Sequence, residues 1–116
     1  MYIRKETSSN FQNEKELIRE CPITYTNALL GKRWKPIILW KINEGDRTFT
    51  DLLTSIPIIS RKMLFQELKH LLGDKLLDAE INGADKQYHL TELGKSLLPV
   101  LKVMWDWGEV HRYIEK

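Results

Sequence analysis

The segment from Ser60 to Gly73 holds the side chains with the clearest chemical purpose in this sequence. Ser60 is a good helix N-cap, and Met63 or Leu64, with Leu68, Leu71 and Leu72, return at helical spacing until Gly73. Burying that stripe turns Arg61, Lys62, Phe65, Gln66 and Lys69 to the opposite side. A guanidinium and a carboxamide each present two hydrogen-bonding groups in one plane, the geometry that reads a purine edge in the major groove of duplex DNA. An aromatic ring on the same face meets a thymine methyl, and ammonium groups meet phosphate. The bland alternatives are a solvated helix face for Lys62 and Lys69, and partial burial for Phe65.

Such a face works only if neighbouring elements hold it out, and the punctuation of the chain predicts those elements. Pro22 opens a helix that carries Tyr25, Ala28 and Leu29 and stops at Gly31; Pro36 opens a second, with Ile37, Ile38, Trp40 and Ile42 on a broad apolar face. Thr48 and Asp51 stand three apart in a capping-box layout, starting a short helix whose Leu52, Leu53 and Ile56 face inward before Pro57. After the Ser60 helix, Leu77, Ala79 and Ile81 alternate with Asp78 and Glu80, Asn82-Gly83 supplies a turn, and Tyr88 and Leu90 alternate with Gln87 and His89. Thr91 then caps a long final helix with a wide apolar surface from Leu93 to Trp107, bent at Pro99. Three short helices, a tight turn, a fourth helix and a hairpin are the parts of a winged helix-turn-helix: mainly α with a small β-hairpin. In that frame the helix opening at Thr48 offers its N-terminal amides and Thr50 to phosphate, and Lys86 near the hairpin tip reaches a neighbouring groove. Arg47, at the entry to this pair of helices, joins the same DNA-facing set. Residues 1–20 read as an N-terminal arm whose second half forms a helix anchored by Leu17 and Ile18; residues 21–116 form the domain.

Bulk properties narrow the class. A chain of 116 residues with 42% hydrophobic and 29% charged residues suits one globular domain. Net charge is only +2, yet residues 32–75 hold nine basic against five acidic groups while residues 76–116 hold five against seven. On its own this asymmetry fits a mixed solvated surface as well as a DNA-binding one. The start lacks an apolar leader, no stretch approaches the roughly 18 apolar residues of a membrane span, and one cysteine forms no internal disulfide, so a cytoplasmic location is expected.

From Cys21 onward the sequence resembles the HxlR family of bacterial winged-helix regulators, relatives of the MarR type. The resemblance rests on Cys21-Pro22, Gly31-Lys32-Arg33-Trp34-Lys35 with Ile38-Leu39, Arg47-Thr48-Phe49-Thr50-Asp51-Leu52, and Ile59-Ser60-Arg61-Lys62-Met63-Leu64 through Leu68. It continues in Tyr88-His89-Leu90-Thr91-Glu92-Leu93-Gly94, Ser96-Leu97-Leu98-Pro99-Val100-Leu101 and Trp107-Gly108. It implies a DNA-binding homodimer held by its terminal helices, a recognition helix starting at Ser60, and, as in several members, a response to electrophiles or oxidants through Cys21. Two positions depart: Ile58 stands where the family usually has a turn glycine, and Lys75 where a helix-ending glycine is usual, leaving Gly73 to take over the stop. The wing also lacks the usual proline pair and basic tip, keeping Asp85-Lys86-Gln87, which implies weaker minor-groove contacts.

Leu97, Leu101, Met104 and Trp105, with Trp34 and Trp107, present more apolar surface than a small domain easily hides, and a two-fold interface accounts for it; completion of the monomer core is the alternative. Such a dimer fits a palindromic double-stranded operator. Cys21 lies at a helix start, where partial positive charge favours the thiolate and Glu20 opposes it; an inert packed thiol is the alternative. With one cysteine, oxidation ends in an intersubunit or mixed disulfide, or in an adduct. His70, His89 and His111 have no metal-ligand spacing and are read as structural or solvated. With no phosphate loop, nucleophile elbow or paired carboxylates, neither enzyme, metal nor cofactor is implied. Two functions stay open: a DNA-binding transcriptional regulator, repression being the expected sign, and a helical dimerisation or adaptor module using the Ser60 helix against protein.

Overall fold

The computed structural model describes residues 9–31 and 33–113; residues 1–8 of the expected arm, and Lys32, lie outside them. In chain order these form α1 (Ser9–Glu20), α2 (Pro22–Leu30), α3 (Trp34–Asn43), α4 (Phe49–Ser55), α5 (Arg61–Gly73), β1 (Leu77–Asn82), β2 (Asp85–Leu90), α6 (Glu92–Lys95) and α7 (Leu98–His111). Side-chain caps start three of them. Thr48 and Asp51 close a full capping box at α4, Ser60 Oγ accepts from the Met63 amide at 3.0 Å, and Thr91 Oγ1 accepts from the Gly94 amide at 3.0 Å.

α3 is the central element, its Ile38, Leu39 and Ile42 fully enclosed. Leu52 of α4 and Leu64, Leu68 and Leu71 of α5 pack against it in one cluster, which continues through Leu76, Leu77 and Tyr88 at the base of the hairpin. In α5 the alternative between Met63 and Leu64 falls to Leu64, Met63 being half-buried. α1 packs on α2 through buried Ile18, while Leu17 stays exposed.

β1 and β2 pair antiparallel with Asn82 opposite Asp85, so the turn residues are Gly83 and Ala84, one place later than Asn82-Gly83. Gly83 has φ +70, which a glycine adopts freely at the first turn position. Only Leu77 of β1 is buried; Ala79 and Ile81, which alternate with Asp78 and Glu80 as expected, are exposed because the hairpin extends past the core.

The last helix is two helices rather than one bent one. Thr91 caps a single turn, and Pro99 occupies the first turn of α7, where its missing N–H leaves no bond unmade. Leu76 is pinned beneath the first of these: its carbonyl accepts from the Thr91 amide and lies against Gly94, where a Cβ would collide with it.

Both departures from glycine keep the left-handed backbone. Ile58 has φ +59 and Lys75 φ +62. α5 ends at Gly73 as expected, but the left-handed residue that closes it is Lys75, its amide donating to Leu72 O at 3.1 Å and the Leu76 amide to Leu71 O at 3.0 Å. These are the two bonds of a Schellman ending, with lysine where glycine is customary.

Candidate nucleic-acid interface

α4 and α5 meet across Ile56-Pro57-Ile58-Ile59-Ser60, with Ile56 and Ile59 buried and Ile58 93% exposed. Anchoring Leu64, Leu68 and Leu71 in the core leaves Arg61, Lys62, Gln66 and Lys69 exposed along the outer face of α5. Phe65 joins them at 62% exposed, so partial burial against the wing or α4 is not its situation. Arg61 and Lys62 occupy the first turn, which contains no acidic residue. Two cations beside the positive end of a helix oppose that helix's own dipole, and the same arrangement concentrates potential attractive to an anion.

At α4 the chain itself occupies the amides of the cap and of Asp51, while no partner is found for those of Phe49 and Thr50 among the described residues. Asp51 Oδ2 accepts from the amides of Arg47 and Thr48, each at 3.3 Å, and the Asp51 amide donates to Thr48 Oγ1 at 3.1 Å. The exposed Thr50 hydroxyl is what this helix turns outward. Ser60 is also exposed, its oxygen serving as the cap of α5.

Arg47 is half-buried and bound to the wing. Its carbonyl accepts from the Tyr88 amide at 2.7 Å, its Nη1 lies 2.8 Å from His89 Nδ1, and His89 Nε2 lies 2.8 Å from Glu80 Oε1. Sequence reasoning set His89 aside as structural or solvated. The hairpin register makes Glu80 and His89 diagonal neighbours on one face, a signal that appears only once the turn is placed at Gly83-Ala84; contact with Arg47 required the folded chain. Lys86 is exposed near the hairpin end, its Nζ 5.6 Å from the centre of the Tyr88 ring. Burial pushes the Tyr88 phenol above its ordinary range.

The four positions assigned to a dimer interface divide. Leu97 and Leu101 are buried in this subunit's own core, whereas Met104 and Trp105 are exposed on α7, as are Trp107 and Val110. Trp34 is packed against the core, and Trp105 stacks on Trp40 with ring centroids 5.6 Å apart. Pro22, Ile23 and Leu30 of α2 form a shallow apolar groove with Val100 and Met104 of α7.

Cys21 precedes that groove as the N-cap of α2. The Thr24 hydroxyl comes first among the groups that hold its thiol below the ordinary range, followed by the amides of Thr24 and Ile23, although none closes a full capping bond. Among the described residues no three or more His, Cys, Asp or Glu side chains gather as a metal site, and no helix is long and apolar enough to cross a membrane.

Helices α3 to α5 followed by a hairpin packed against them define a winged helix-turn-helix. The model of the HxlR-like helix-turn-helix family matches residues 29–116, and the chain belongs to that family. Its relatives include MalR of Fusobacterium mortiferum, whose name proposes a regulatory protein, 36% identical over 94 residues that span 78% of this chain and 89% of MalR. The HTH-type transcriptional regulator YodB of Bacillus subtilis (strain 168) is 33% identical over 85 residues, 71% of this chain and 76% of YodB. Among solved structures, the redox regulator HypR in its reduced form matches with a TM-score of 0.75 at 29% identity, covering 80% of this chain and 95% of HypR.

Proposed function

We propose that this protein is a transcriptional regulator that binds double-stranded DNA sequence-specifically as a homodimer. The observation that carries the proposal is the outer face of α5: Arg61, Lys62, Phe65, Gln66 and Lys69 all point into solvent from a helix whose other side is locked in the core. In the major groove Arg61 and Gln66 pair with base edges, Phe65 meets a thymine methyl, and Lys62 and Lys69 neutralise phosphate. Thr50, Ser60 and Lys86 add positioning contacts to the backbone, and Arg47 joins them from the entry to α4.

The exposed apolar side chains of α7 support a two-fold interface through the terminal helices, Met104 and Trp105 contributing from the four positions considered. Two recognition helices then lie roughly 34 Å apart and select a palindromic operator. Repression is the sign we assign. The lowered thiol range at Cys21 and the likeness to the redox regulator HypR support a switch operated by a small electrophile or oxidant. Transcription control places the protein in the cytoplasm and asks for no enzymatic step.

A mobility shift on the DNA upstream of the protein's own gene tests this. Affinity is expected to fall steeply between low and moderate salt, as released counterions require. Arg61→Ala is expected to weaken the specific complex about tenfold or more and to relax the preference at one base pair. Weak binding that is indifferent to salt and unchanged by Arg61→Ala and Gln66→Ala would instead assign the α5 face to a protein partner.

A further inference from the structure

We infer that His89 is a positioning residue for the DNA interface: its imidazole mounts the Arg47 guanidinium on the wing, so that Arg47 meets a phosphate from a prearranged position. This rests on the DNA-binding function proposed above.

Hydrogen-bond chemistry assigns the imidazole one form. A guanidinium only donates, so Nδ1, 2.8 Å from Arg47 Nη1, must be the acceptor. An ionised carboxylate only accepts, so Nε2, 2.8 Å from Glu80 Oε1, must carry the hydrogen. The neutral Nε2–H tautomer satisfies both partners at once. It forms a chain from the loop before α4, through β2, to β1, joining the two elements that flank the DNA-facing surface.

The chain uses one of the five N–H groups of Arg47. Among the described residues no acceptor is recorded for the others, and the side chain is half-buried, so it is held from one side and open on another. A guanidinium fixed in this way loses less rotamer freedom on meeting a phosphate than one extended freely into water. Glu80 completes the arrangement by orienting the imidazole, as a carboxylate does for a histidine that must keep one tautomer. The docking of the wing does not depend on this relay alone, because the Tyr88 amide independently donates to the Arg47 carbonyl at 2.7 Å.

The test is a double-mutant cycle on DNA affinity in the full chain, read as a function of salt. His89→Ala is expected to weaken the operator complex about fivefold. It should also lower the slope of log affinity against log salt by about one, matching Arg47→Ala. In the Arg47→Ala background, His89→Ala should add nothing further, because the histidine acts only through the arginine. His89→Phe, which keeps a ring but no acceptor, should behave as the alanine does, even if the smaller side chain loosens the hairpin. Additive effects of the two substitutions, an unchanged salt slope, or tighter binding by His89→Ala would overturn the inference. Failure of the proposed function is seen separately: the parent protein would then show no salt-sensitive operator complex, and the inference falls with it.

Discussion

Lys35 Nζ lies 3.0 Å from Glu67 Oε1, with 6% and 16% of the two side chains exposed. The pair joins α3, the centre of the core, to the inner side of α5, and so helps to set the pose of α5. Removing one partner from such a pair leaves a charge in a poorly solvated site, whereas replacing both by apolar groups removes the penalty together with the attraction. Lys35→Met, which leaves the Glu67 carboxylate behind, is therefore expected to lower stability by about 3 kcal/mol, and Lys35→Met combined with Glu67→Leu by less. Urea unfolding of the two variants measures this. Equal losses in the single and the double variant would contradict it.

The left-handed residues give an opposite expectation. A non-glycine residue at positive φ costs about 1–2 kcal/mol, and a β-branched one sits at the upper end. Ile58 is exposed, so its side chain recovers little of that cost through packing. Ile58→Gly should gain roughly 0.5–1 kcal/mol after the greater backbone entropy of glycine is set against the relief of strain. Lys75→Gly should gain a similar or smaller amount. Each is read as a rise in the urea midpoint at unchanged slope.

Gly94 is the reverse case. A Cβ there would run into the Leu76 carbonyl, a backbone atom that is also receiving the Thr91 amide. Gly94→Ala is expected to cost about 2 kcal/mol and to loosen the joint between the hairpin and α6. A thermal melt at the parent's temperature would show that this joint yields freely.

Cys21 supplies a pH prediction. Since its thiol is held below the ordinary range, chiefly by Thr24, the thiolate persists to lower pH than in an unstructured peptide. Alkylation by iodoacetamide, followed against pH, should reach half its limiting rate at lower pH than in a Cys-containing peptide. Thr24→Val should move that midpoint upward. The Thr24 amide is kept in this variant, so an unmoved midpoint would remove the Thr24 hydroxyl from the explanation.

Much of this architecture was legible because its signals are local. Thr48, Ser60 and Thr91 cap helices where their side chains predicted, and the apolar repeat of α5 announces both its buried side and, by subtraction, its outward side. The split between α6 and α7 is not legible from Pro99 alone, since a proline inside an apolar repeat fits a bend as well as a helix start; at Pro22 the preceding polar arm leaves only the start. Alternation puts Leu77, Ala79 and Ile81 on one face of β1 but does not report how far the core extends beneath that face, and only Leu77 is buried.

Residue types and spacing alone settled the order of elements as far as β2, the caps at Thr48, Ser60 and Thr91 and the composition of the outward face of α5, because caps and periodicity depend on neighbours within a few positions; α3 nevertheless starts at Trp34, two residues before Pro36. Only the tertiary structure decided that Leu97 and Leu101 fill the subunit's own core while Met104 and Trp105 remain outside it. It also joined Lys35 to Glu67, and Arg47 to His89 and Glu80. The physical reason is that a repeat in one dimension states which side of an element is apolar, while the partner of a charged or polar group is chosen by packing between segments far apart in the chain.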